Sequence, residues 1–139
     1  MPSERGVRLE WKGKGLQFAG CGVIPESPSI TIDGDNKSAP APMQLLLLAC
    51  ASCSAADAVS ILHKMRVNLR SLSVGVTGIR RDEEPRRYVA ISFEFTASGE
   101  GLDRAKAERA VNLSIEKYCS VIHSLSPDID VSYTVAVER

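Results

Sequence analysis

Four cysteines, Cys21, Cys50, Cys53 and Cys119, carry most of the reactive chemistry available to this sequence. Cys53 falls inside an apolar run with helical character, and Cys119 falls between Ile115 and Ile122 on the apolar stripe of a second helical segment. Packing those helices together can bring the two sulfurs close. A cysteine that reduces a peroxide attacks the O–O bond as a thiolate, and a second thiol then condenses with the resulting sulfenic acid before it over-oxidises. The plainer alternative is two buried cysteines acting as small hydrophobes. Cys21, in or beside an N-terminal strand, takes that plain reading.

Other arrangements compete for the same sulfurs. Cys50 and Cys53 form a C-x-x-C pair, which in a thioredoxin-like context opens a helix just after a strand. Here apolar helical residues precede the pair, so the helix dipole, which fades after the first turn, offers it little. A zinc site from Cys50, Cys53, Cys119 and His123 is an alternative, because the i,i+3 and i,i+4 pairs share helix faces; structural zinc more commonly sits on knuckle loops. His63 and His123 otherwise read as helix-surface residues. Asp57 stands one turn beyond Cys53, where a carboxylate raises a thiol pKa unless it is turned toward another partner. Gly13-Lys14-Gly15 and Gly20-Cys21-Gly22 complete no phosphate-loop or dinucleotide pattern, and no G-x-S-x-G occurs.

The elements that must position these residues follow from periodicity. Val7 to Trp11, Leu16 to Phe18 and Ile30 to Ile32 alternate as strands across Gly- and Pro-rich turns, which predicts an antiparallel meander. Asp33 to Pro42 is turn-rich, and Pro42 suits the first turn of a helix running to about Met65. That helix is apolar around much of its circumference, so a single thin sheet cannot cover it. Leu72, Val74 and Val76, then Val89, Ile91, Phe93 and Phe95, predict a two-stranded ribbon with a charged tip around Pro85. A second helix is expected from Asp103 to Leu125, ended by Pro127, with a closing strand over Ile129 to Val137. The order is βββ-α-ββ-α-β, an α+β fold in one domain spanning residues 1–139.

Bulk properties narrow the partners. The 139 residues suit one domain with a real core, and 17 basic residues balance 17 acidic ones. Without an excess positive field, and with few aromatics for base stacking, nucleic acid is not an expected partner. Met1 to Lys14 is polar, and the apolar run from Leu45 is broken by Ser52, Ser54 and Asp57, so neither a signal peptide nor a membrane span is expected. A cytoplasmic setting follows, where cysteine pairs are more often catalytic, sensing or metal-binding than structural.

The segment Pro42 to Leu62, PMQLLLLACASCSAADAVSIL, resembles the first-helix motif of the OsmC/Ohr family, and Leu113 to Val121, LSIEKYCSV, resembles its second-cysteine motif. The outline of the resemblance extends from about Val7 to Val137 and lies nearest the YhfA-like branch. It implies an α+β fold made by two intertwined subunits, with helices packed against antiparallel sheets and the site at the dimer interface. It further implies reduction of organic or inorganic hydroperoxides, with Cys53 peroxidatic, Cys119 resolving, no bound cofactor, and an external dithiol, of lipoyl type for instance, as reductant. A partner subunit would cover the far side of the Met43 to Leu62 helix. Well-defined peroxidase sites of the family add an N-terminal arginine and a glutamate just after the proline of the first motif. Here Met43 and Gln44 follow Pro42, and the cations near Trp11 are Lys12 and Lys14, which leaves Gln44 and Lys14 as the candidates for those places. The competing function is a non-enzymatic thiol redox sensor or small-ligand-binding protein.

Overall fold

The computed structural model describes residues 3–22 and 28–139. The chain divides into two compact units, Met1–Leu46 and Leu47–Arg139, with the division inside one helix.

In the first unit, β1 (Val7–Trp11), β2 (Gln17–Gly22) and β3 (Ile30–Asp33) pair antiparallel in the order β1-β2-β3, as the alternation predicts. Asp33 ends this sheet and organises the turn that follows. Its carboxylate accepts from the backbone N–H groups of Asp35, Lys37 and Ser38 and from the Ser38 hydroxyl. Those donors, Ser38 and Asp35 foremost, lower the Asp33 pKa to about 2. Helix α1 (Pro42–Lys64) then starts at Pro42, and Gln44 Oε1 accepts from the Ala41 N–H at 3.0 Å. Such a side chain satisfies a helix-start donor that lacks an intrahelical partner.

Only Cys50, Ser54, Ala58 and Leu62 of α1 are buried, a stripe at steps of four. By length and composition α1 is apolar enough to cross a bilayer, a test that core helices of soluble proteins also pass. After Lys64 the chain reverses through Arg66 in the left-handed region at φ 64°, with the Val67 N–H returning to the Leu62 carbonyl.

The second unit holds the remainder of α1 and a sheet ordered β4-β5-β6, from β4 (Asn68–Arg80), β5 (Tyr88–Glu100) and β6 (Asp130–Glu138). β4 and β5 form the expected antiparallel ribbon. β6 lies parallel to β5, a pairing that requires a crossover, which the second helical segment supplies. Ile91, Phe93, Phe95 and Ala97 of β5 point inward and are buried, whereas β4 alternates half-buried and exposed. Leu62, Val67 and Ala110 form a buried cluster, joined by Ile61, Met65, Leu69 and Leu102.

The second helix departs from expectation. Instead of running unbroken to Leu125, it comprises α2 (Arg104–Leu113), a π-helical turn at Ser114–Tyr118, and a short α3 (Ser120–His123). Asp103 caps α2 by accepting from the Lys106 N–H. The Cys119 N–H reaches back five residues to the Ser114 carbonyl at 2.7 Å, and Cys119 leaves the helix with ψ 104°. Wide turns of this kind occur mostly as single turns, frequently at functional sites.

Candidate active site

Small residues lie where α1 meets the second helical segment. Ser54 and Ser114 are fully buried, and the Ser114 hydroxyl oxygen lies 3.3 Å from the Ser54 carbonyl oxygen, while Ala110 of α2 packs beside Leu62 of α1. The register therefore runs antiparallel. At the Ser54–Ser114 end it brings together Cys53, next to Ser54, and Cys119, whose N–H bonds to the Ser114 carbonyl. The sulfurs of Cys53 and Cys119 and a carboxylate oxygen of Asp57 all lie within 4.8 Å of one another.

Each member is positioned differently. Cys53 is half-buried on regular helix; Cys119 is fully buried at the break between the π turn and α3. Burial drives the Cys119 pKa up from 9.0 to about 11, and a hydrogen bond to Cys53 adds to the rise, while the N–H groups of Ile122 and Val121 partly offset it. At neutral pH Cys119 holds its proton beside the Cys53 sulfur. Asp57 is turned toward a partner of its own: the Ser114 hydroxyl donates to Asp57 Oδ2 at 2.9 Å. Cys50 is fully buried and its pKa is raised, by burial first and the nearby Cys53 second. It stands outside the three-atom group, as does His123, so the structure does not assemble the Cys50, Cys53, Cys119 and His123 quartet. His63 and His123 are exposed on helix surfaces, as expected.

The two auxiliary candidates belong to the first unit. Gln44 is exposed and engaged with the start of α1, and Lys14 is exposed in the β1–β2 turn, where its carbonyl accepts from the Gln17 N–H. Sequence reasoning missed Ser114. A serine on the buried side of an amphipathic helix was the signal, since a buried hydroxyl needs a partner. A cavity of about 290 Å³ opens elsewhere in the second unit, lined by Phe93, Ile115, Ile122, His123 and Val131 among others, and neither Cys53 nor Cys119 lines it.

Residues 34–134 match the family model described as OsmC-like protein. The chain belongs to the OsmC-like family. It is 40% identical over 135 residues to protein YhfA of Escherichia coli K12, with 94% of this chain and 96% of YhfA covered. An OsmC-like protein from Mycoplasma pneumoniae shares the fold at a TM-score of 0.83 and 14% identity, with 100% of each chain covered. An organic hydroperoxide resistance protein, OsmC, from Legionella pneumophila is more distant, at a TM-score of 0.67 and 15% identity, with 97% of this chain and 98% of that one covered. The α+β OsmC-like fold and its βββ-α-ββ-α-β order are thus those expected from the sequence, with the second helix interrupted at Cys119.

Proposed function

We propose that this OsmC-like protein is a thiol-dependent hydroperoxide reductase in which Cys53 attacks the peroxide and Cys119 resolves the product. The observation that carries the reading is the placement of a half-buried sulfur, Cys53, beside a fully buried, protonated one, Cys119. In the first step Cys53 takes the terminal peroxide oxygen, giving Cys53 sulfenic acid and an alcohol. In the second, the Cys119 sulfur bonds to the Cys53 sulfur and the sulfenic hydroxyl leaves with the Cys119 proton as water. An external dithiol then reduces the disulfide and is itself oxidised. The name of the Legionella relative, an organic hydroperoxide resistance protein, supports the same class of chemistry.

A second reading, a slow thiol redox sensor, is favoured by one feature: Gln44, at the place where well-defined peroxidase sites of the family carry a glutamate, is exposed and engaged with the Ala41 N–H at the start of α1. A steady-state assay separates the two. Reduced protein should consume cumene or t-butyl hydroperoxide over many turnovers with dihydrolipoamide or dithiothreitol. Stoichiometric oxidation followed by arrest would establish the sensor instead.

We further propose a homodimer as the working unit. Leu48 and Val59 of α1 are 54% and 45% exposed, and Val7, Leu9 and Trp11 of β1 are more so. Apolar surface of that extent supports a partner subunit.

A further inference from the structure

The donor atoms grouped around Cys53 are also a ligand set. Cys53 and Asp57 are i,i+4 neighbours on one face of α1, Cys119 approaches from the facing segment, and the three ligand atoms lie within 4.8 Å of one another. Around a tetrahedral zinc ion, with sulfur at about 2.3 Å and oxygen at about 2.0 Å, neighbouring donors stand about 3.5–3.8 Å apart. Side-chain rotations of about an ångström close the set to that size. Ser114, fully buried, already donates to Asp57 Oδ2 at 2.9 Å, the outer contact that orients a ligating carboxylate. Cys53 and Asp57 are only half-buried, which leaves a side from which water or a small thiol completes the tetrahedron.

We propose that Cys53, Asp57 and Cys119, with both thiols reduced, bind one thiophilic divalent cation of the zinc or cobalt(II) type. A mixed set of two sulfurs and one oxygen suits such borderline ions. The site differs from the quartet considered from sequence, because Cys50 and His123 take no part. The ion gives the Asp57 carboxylate, held beside the two sulfurs, a ligating role. Metal and disulfide are mutually exclusive on these atoms. On the hydroperoxide reading, the metal-bound thiolate pair, one hydroperoxide and two protons yield the disulfide, one alcohol, one water and the released cation.

The test is an anaerobic titration of the fully reduced, metal-stripped full chain with cobalt(II), followed by the thiolate-to-cobalt charge-transfer and tetrahedral d–d bands, with zinc as displacing ion. One cobalt per chain is expected. The bands should vanish in Cys119→Ala and Cys53→Ala and in the disulfide form, and persist unchanged in Cys50→Ala and Cys21→Ala. Asp57→Asn should weaken binding at least tenfold while keeping the charge-transfer band, and Ser114→Ala should weaken it several-fold. Circular dichroism checks the fold of each variant. If a cysteine variant fails to fold, zinc affinity of Asp57→Asn by competition with a chromophoric chelator decides, and unchanged affinity overturns the site. So do the absence of a thiolate band in reduced wild type, or a band that follows Cys50. Hydroperoxide turnover by the same metal-free protein is scored separately: a cobalt band without turnover keeps the metal site and removes the reductase reading, and turnover without a band does the reverse.

Discussion

Cys53, on the regular part of α1, and Cys119, at the break after the π turn, place their sulfurs within 4.8 Å of each other although the two strands of the β4–β5 ribbon and α2 separate them in the chain. A disulfide requires about 2.05 Å between the sulfurs, so bonding would require the two side chains to move together.

One equivalent of hydroperoxide should therefore link Cys53 to Cys119 within one chain, as read by peptide mapping. Cys53→Ser should lower turnover by about a hundredfold or more, since it removes the nucleophile. Cys119→Ser should instead leave Cys53 to proceed to sulfinic acid. A Cys50–Cys53 link, or four intact thiols, would remove the proposed cycle.

The raised Cys119 pKa also makes a stability prediction. Between an ordinary cysteine value of 9.0 and about 11, the folded chain keeps a proton that the unfolded chain has lost. Unfolding is then favoured progressively as pH rises through that window. Thermal melts from about pH 8 to 11 should show a steeper fall for wild type than for Cys119→Ala; equal slopes would show that this thiol titrates normally.

Asp33 works in the opposite direction. Its carboxylate, held near 2 by Ser38 and Asp35, stabilises the fold fully above the ordinary value of 3.8 and ceases to do so as pH falls from there through about 2. Asp33→Asn should lower the melting temperature at neutral pH and flatten the acid limb of the stability curve. An acid limb identical to that of wild type is the outcome that counts against this role.

Backbone crowding sets a further site. A Cβ on Gly99 would stand 2.5 Å from the Asn68 carbonyl oxygen and 2.9 Å from Leu69 Cα, beside the register shift in β4. Gly99→Ala should destabilise the chain by about 1–3 kcal/mol, because backbone must move to admit the methyl group. Denaturant titration measures this directly.

The homodimer predicts a mass of twice 15.0 kDa by light scattering at micromolar concentration. Leu48→Asp and Val59→Asp place charges on the exposed apolar side of α1 and should shift the mass toward one chain. A wild-type monomer would sink the assembly.

Much of this architecture was legible in the residues themselves. Strict alternation in Val89–Phe95 suits a strand with one inward face, and Pro42 with the apolar run behind it suits the start of a long helix; Val7–Trp11 alternates as a half-buried strand would, yet all five of its residues are exposed. The two cysteine motifs pointed to the OsmC-like family, and they singled out Cys53 and Cys119, whose sulfurs the fold brings within 4.8 Å. Three features needed the tertiary structure. The break at Cys119 has no glycine or proline to announce it; the Cys119 N–H bond to the Ser114 carbonyl decides it. The partner of the Asp57 carboxylate is Ser114, a serine on another helical segment, which spacing along one helix does not show. Cys50 and Cys53 look equivalent in a C-x-x-C string, yet three residues turn a helix far enough that one sulfur is sealed in the core and the other faces Cys119. Local periodicity fixes which residues share a face, but only packing determines what that face meets.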